Sequence, residues 1–193
     1  MFLFGHTGFA AAPAAALIRH RSSRHGGEAR AGDLRWLLAG SIFPDLVDKT
    51  IGQLLFKRHY ENGRIYCHTI LFSSLLAIQG CRRFKQTGDD KALLLALGVI
   101  SHIALDKIWT DPETAFWPLL GHFLKDSSLM TLLEQISYVL KDRFFWTNEI
   151  TGAVLLLLSL RWLGIRNSAD LKKFLFSGRS PALSQQLLAN YNG

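Results

Sequence analysis

The sequence predicts an all-α protein, an antiparallel up-down helical bundle of about five transmembrane helices plus one short amphipathic helix. Three observations predict it. Five apolar stretches show no strict alternation, which favours helices over strands. Each has roughly the 20 residues that cross a bilayer core at about 1.5 Å per residue. Lysines and arginines gather in alternate connections between the stretches.

The first stretch covers residues 2–18 of the 193-residue chain. Its apolar and small residues look like a signal peptide, but a signal peptide carries its positive charges ahead of the apolar run. Here they follow it, so the stretch reads as an uncleaved first helix with its N-terminus outside. The second stretch covers 36–56. Pro44 within it disfavours helix at Phe43, predicting a break or kink that aims Asp45 and Asp48 inward. The third, fourth and fifth stretches cover 64–80, 91–109 and 144–164. Between the last two, residues 128–140 set Leu132, Leu133, Ile136 and Leu140 at helical spacing and predict the amphipathic helix. Residues 1–166 thus read as one membrane-embedded domain, and 167–193 as a polar, basic C-terminal tail.

Charge placement supplies the topology. Arg19, Arg21, Arg24, Arg30 and Arg35 share one side with Arg82, Arg83, Lys85, Lys91 and the cluster from Arg161 to Arg179. The other side holds only Lys57, Arg58, Arg64, Lys125, Lys141 and Arg143. The positive-inside rule then predicts a multi-pass protein of a prokaryotic inner (cell) membrane, N-terminus outside and C-terminus cytoplasmic. Composition agrees: 49% hydrophobic and 19% charged residues are apolar for a water-soluble domain. A mean hydropathy of +0.15 is still milder than a transporter built wholly of long spans. The net charge of +7 falls in loops rather than along one face, which argues for membrane topology and against a nucleic-acid partner. Cys67 and Cys81 form no CxxC pair and read as buried thiols.

Polar residues break this apolar pattern at one end only. His6 starts the first helix, Asp45 and Asp48 lie late in the second, and Arg64 and His68 open the third. His102 and Asp106 close the fourth, and Glu149 lies in the first turns of the fifth. Early positions on odd helices and late positions on even ones meet at the same end of an antiparallel bundle. Asp45 with Asp48, Arg64 with His68, and His102 with Asp106 are spaced three or four residues apart, each pair on one helix face. Taken singly these residues have plainer uses: Asp45 and Asp48 can cap a helix, and His102 with Asp106 can be a structural pair. Together they form a set of imidazoles and carboxylates suited to a divalent metal, zinc (Zn) first and manganese or iron as alternatives. His6, Asp45, His68, His102 and Asp106, with Asp48 close by, suffice for one ion or two.

Segments carrying these residues bring a family into view. They are FGHTG at 4–8, GSIFPDLVDKTIG at 40–52, NGRIYCHTILF at 62–72, GVISHIALDKIWTDPETAFWPLLG at 98–121, and EITG at 149–152. With them the chain resembles the bacterial and archaeal family of membrane-bound, predicted metal-dependent hydrolases, itself distantly similar to zinc-dependent phospholipase C. The resemblance implies metal-site roles for His6, Asp45, Asp48, His68, His102 and Asp106. It implies an anion-binding role for Arg64, and a loop over the site at Trp117-Pro118. One departure stands out: many relatives have a tight H-R-G-x-T-H run, whereas here Arg58-His59 lies well before Gly63-Arg64 and His68.

The function expected from the residues and the resemblance is a membrane-bound hydrolase in which a metal activates water. His68, His102 and Asp106 are the core ligands, with Asp45 and His6 completing a second or shared position. Asp48 is a ligand or the base that orients water, and Glu149 a general acid or base. Arg64, with Trp117 above it, holds an anionic substrate. The topology puts the site in the outer half of the bilayer, which makes a lipid-headgroup phosphoester the expected substrate. The rival is a non-enzymatic membrane protein that binds or relays metal ions or protons through the same cluster. Arg64 separates the two, because a fixed positive charge helps an anionic substrate and hinders a cation.

Overall fold

The computed structural model describes residues 3–24, 32–60, 62–123, 137 and 140–178, and these residues form helices joined by turns. α1 is Leu3–Arg24 and α2 is Leu34–Lys49, the latter capped by Asp33, whose side chain accepts from the Arg35 N–H. α2 passes directly into a π-helical segment, Thr50–Leu55, and then into the short α3, Lys57–Tyr60. A 3-10 turn, Tyr66–His68, leads into α4, Ile70–Thr87. α5, Lys91–Leu105, is followed by a 3-10 turn, Ile108–Thr110, and the short α6, Pro112–Ala115. α7 is Arg143–Trp162 and α8 is Ser168–Ser177.

The helical class is as expected, but the membrane spans are not. No helix among the described residues is long and apolar enough to cross a membrane. The reason is that the apolar stretches do not coincide with single helices. The second stretch changes from α to π winding after Lys49. The third is irregular until Thr69 caps α4 by accepting from the Phe72 N–H. The fourth, the most apolar, is α-helical for only 15 residues before Asp106 ends it. α1 and α7 are longer but carry Arg19, Arg21 and Arg24, or Arg143, Glu149 and Arg161. The expectation of about five transmembrane helices is therefore corrected, and the orientation of the termini and the outer-leaflet depth that depended on it fall with it.

Other local differences arise from the same turns. α2 runs through Pro44, and the irregularity expected there comes later, in the π segment. Arg64 and His68 do not share a helix face, because one lies in the loop and the other in a 3-10 turn. Cys67 is buried but Cys81 is exposed. The start of the expected tail forms α8, which buries Phe174 in a core cluster with Ala15, Leu34, Leu37, Leu163 and Ile165. The amphipathic helix expected over 128–140 lies almost wholly outside the described residues, as does the tail after Gly178.

Two close helix contacts draw the polar residues together. α1 packs most extensively on α7, α2 on α5, and α4 covers α5. At the α2–α5 contact Gly40 faces Gly98, and a Cβ on either would overlap a backbone carbonyl, of Leu95 or of Leu37. At the α1–α7 contact a Cβ on Gly8 would overlap the Gly152 carbonyl. These glycines stand within four residues of Ser41, His102, His6 and Glu149. Backbone proximity at the two crossings thus brings those residues to a common end.

Candidate metal centre

Two imidazoles meet where α5 ends and α4 begins. His68 Nδ1 lies 2.7 Å from Asp48 Oδ2. That carboxylate also accepts from the backbone N–H groups of Ile65, Cys67 and His68, so it acts as an acceptor and His68 Nδ1 must donate. His102 Nδ1 lies 2.7 Å from the Ser41 carbonyl oxygen, which can only accept, so this nitrogen also donates. In the neutral rings both Nε2 atoms then carry lone pairs. They point at each other across 3.2 Å.

Two lone pairs in that position repel unless a cation or a proton joins them. On His102 a proton is disfavoured, since burial first and the His6 ring second push it down to about 4. Carboxylates converge on the same point. Asp45 Oδ1 lies 3.8 Å from each Nε2 atom, and Asp106 Oδ2 lies 3.9 Å from His68 Nε2. One ligand atom from each of Asp45, His68, His102 and Asp106 falls within 4.8 Å of all the others. Ligands of a tetrahedral ion with bonds of about 2.1 Å stand roughly 3.4 Å apart. Asp45 Oδ1 is buried and lacks a hydrogen-bond partner, which a metal bond would supply. The donor set therefore fits a divalent ion.

The surroundings fit as well. Ligating histidines commonly give their second N–H to a carboxylate or a backbone carbonyl, as Asp48 and Ser41 receive here. Burial works to raise the Asp106 carboxyl, but the His6 ring and the Arg64 guanidinium outweigh it and hold it well below the usual carboxylate range. Asp106 is therefore an anion at neutral pH, ready to ligate.

The remaining expected residues take varied positions. His6 stacks on His102, with ring centroids 3.9 Å apart, and its Nε2 lies 3.3 Å from Asp106 Oδ1. Both His6 ring nitrogens are buried, and neither meets the geometry of a full hydrogen bond. His6 thus borders the four-residue group through Asp106. Asp48 is fully buried, and its oxygens are occupied by His68 and three backbone N–H groups, so its carboxylate fixes the His68 ring and the turn that carries it. Arg64 Nη2 donates to Asp106 Oδ2 at 2.9 Å. Glu149 reaches across to α1, where Oε2 and Oε1 accept from the Phe4 and Gly5 N–H groups. Its carboxylate thereby caps the helix that carries His6. Trp117 stands edge-on to Tyr66, in the turn that carries His68, and stacks on Phe123.

Two participants escape the sequence reading. The Ser41 carbonyl orients His102, and only Pro44 hints that the carbonyl ladder near it is incomplete. Lys49, one turn after Asp45, donates to Asp45 Oδ2 at 2.6 Å. Its signal was the i,i+4 spacing.

A family model described as YdjM inner membrane protein matches residues 1–170 of the chain. No curated protein and no solved structure matches it.

Proposed function

The chain belongs to the YdjM inner membrane protein family, and from that premise we propose that it is a membrane-associated, metal-dependent hydrolase of phosphoesters. The observation that carries this reading is the facing pair of His68 and His102 Nε2 lone pairs, each ring pinned from behind. Asp45 and Asp106 complete the ligand set, and His6 stands ready beside Asp106. A divalent ion there, zinc being the best match to two imidazoles and two carboxylates, supplies Lewis-acid activation of water near neutral pH.

The protein's own groups do the rest. Asp48 and the Ser41 carbonyl fix the two rings in the tautomer that offers Nε2 inward. Arg64, 39% exposed, faces solvent from Asp106 and can turn a guanidinium N–H toward an anionic substrate. Glu149 holds the start of α1, and with it His6, against the centre. Exposed apolar side chains such as Leu54, Leu119 and Phe176 suit contact with lipid, which makes a lipid-headgroup phosphoester the substrate class of this reading.

The rival relay of ions or protons gains nothing from Arg64 beside the cluster. The experiment that separates them pairs metal analysis with phosphoesterase assays of wild type and Arg64→Ala. A hydrolase loses turnover on Arg64→Ala and keeps its metal; unimpaired turnover contradicts the substrate-binding role.

A further inference from the structure

Two cations stand at the mouth of this centre, each resting on a carboxylate of the ligand set. Lys49 Nζ pairs with Asp45 Oδ2 at 2.6 Å, and Arg64 Nη2 with Asp106 Oδ2 at 2.9 Å. In both pairs the cation is the outer member: Lys49 and Arg64 are 41% and 39% exposed, Asp45 and Asp106 18% and 5%. The segments that carry them lie side by side, because a Cβ placed on Gly63, next to Arg64, would stand 3.4 Å from Lys49 Cγ. Asp45 turns Oδ2 to Lys49 and Oδ1 toward the two Nε2 atoms, 3.8 Å from each.

The charges favour an anion. The carboxylates of Asp45, Asp106 and Asp48 outnumber the two cations by one, so a divalent ion held by neutral imidazoles leaves the site with one surplus positive charge. Three separate positive contacts, the ion, a lysine ammonium and an arginine fork, match three oxygens around one central atom. A carboxylate offers only two oxygens. A phosphodiester offers two non-bridging ones, and a terminal phosphate offers three.

We propose that Lys49 and Arg64 form a two-cation clamp that, together with the metal, takes a terminal phosphate, either free or at the end of a lipid headgroup. The proposal rests on the metal-centre reading and adds Lys49 as a specificity-determining residue. An arriving phosphate draws both side chains off their carboxylates, leaving Asp45 and Asp106 to the ion.

The test measures binding of inorganic phosphate, of micelles containing phosphatidic acid, and of micelles of phosphatidylcholine, to metal-loaded protein. Metal content is measured separately on each sample. Lys49→Gln should weaken phosphate and phosphatidic acid binding about ten-fold or more while leaving phosphatidylcholine unaffected. A loss confined to the lipid arm assigns the clamp to the lipid source, and a loss in both arms assigns it to the phosphate itself. Lys49→Gln should also hold its metal as tightly as wild type or more so, because a cation competing for Asp45 is gone. Lys49→Arg should retain phosphate binding. Unchanged affinity for both phosphate and phosphatidic acid in Lys49→Gln, or loss of phosphate and metal together in both variants, overturns the clamp. A wild type that takes up no metal would instead contradict the metal-centre reading, and phosphate binding by wild type and Lys49→Gln compared without metal would then test the two cations separately.

Discussion

His68 and His102 face each other through Nε2 atoms 3.2 Å apart, and each ring donates its Nδ1–H to a fixed acceptor. Neither ring can turn without breaking a buried hydrogen bond. The pair therefore stores an electrostatic demand for a cation, with consequences for acid stability, for ligand orientation and for helix packing.

The first consequence concerns pH in metal-stripped protein. His102 is pushed down to about 4 in the fold, by burial first and then by the His6 ring, against an ordinary value of 6.5. The unfolded chain thus binds more protons than the folded one between those two values, so stability rises with pH across that window. Acidification from pH 6.5 toward 4 should progressively lower the denaturation midpoint, and His102→Gln should flatten that slope. A midpoint that is level over the same range contradicts a neutral, buried His102.

Asp48 carries a different expectation. It holds His68 Nδ1 and three backbone N–H groups from a fully buried position. Asp48→Asn should cost about 3 kcal/mol of stability, because an amide donor then confronts donors in the interior. It should also weaken metal affinity about 10- to 100-fold, the usual effect of losing the group that orients a ligating histidine. Chelator competition and denaturant unfolding read the two effects. A variant that keeps wild-type affinity would show that Asp48 does not orient His68.

Gly98 tests the packing that brings the centre together. A Cβ there would overlap the Leu37 carbonyl and press on Gly40, where α2 and α5 cross. Gly98→Ala should separate those helices, costing about 1–3 kcal/mol and moving Ser41 and Asp45 away from His102. Metal stoichiometry should drop with it. Gly121, with nothing near an added Cβ but a φ of +104°, is the contrasting site: Gly121→Ala should cost stability through backbone strain alone and leave metal binding intact.

What could be read from the sequence, and what could not, divides along physical lines. Asp45, His68, His102 and Asp106 were readable as one group because costly polar residues in apolar helices stand out by position, and helix parity places them at one end. Apolar run length was a poorer guide, because π and 3-10 turns divide runs that hydropathy alone treats as continuous. Those same turns put Arg64 and His68 on different local structures, although both still reach Asp106 or its neighbours. The roles of Asp48 and Glu149 depend on what their oxygens accept, which residue type does not reveal. Ser41 acts through its backbone, where no side-chain signal exists.

The most direct test is elemental analysis of the gently purified wild-type protein, joined to X-ray absorption at the edge of the metal found. One or two divalent ions per chain are expected, with scattering from two imidazole rings at about 2.0–2.1 Å and from carboxylate oxygens at similar range. His102→Ala should remove one ring from that spectrum or the metal altogether. Protein that purifies without stoichiometric metal and takes up none on addition, or a metal whose spectrum holds no imidazole, contradicts the centre built on His68 and His102.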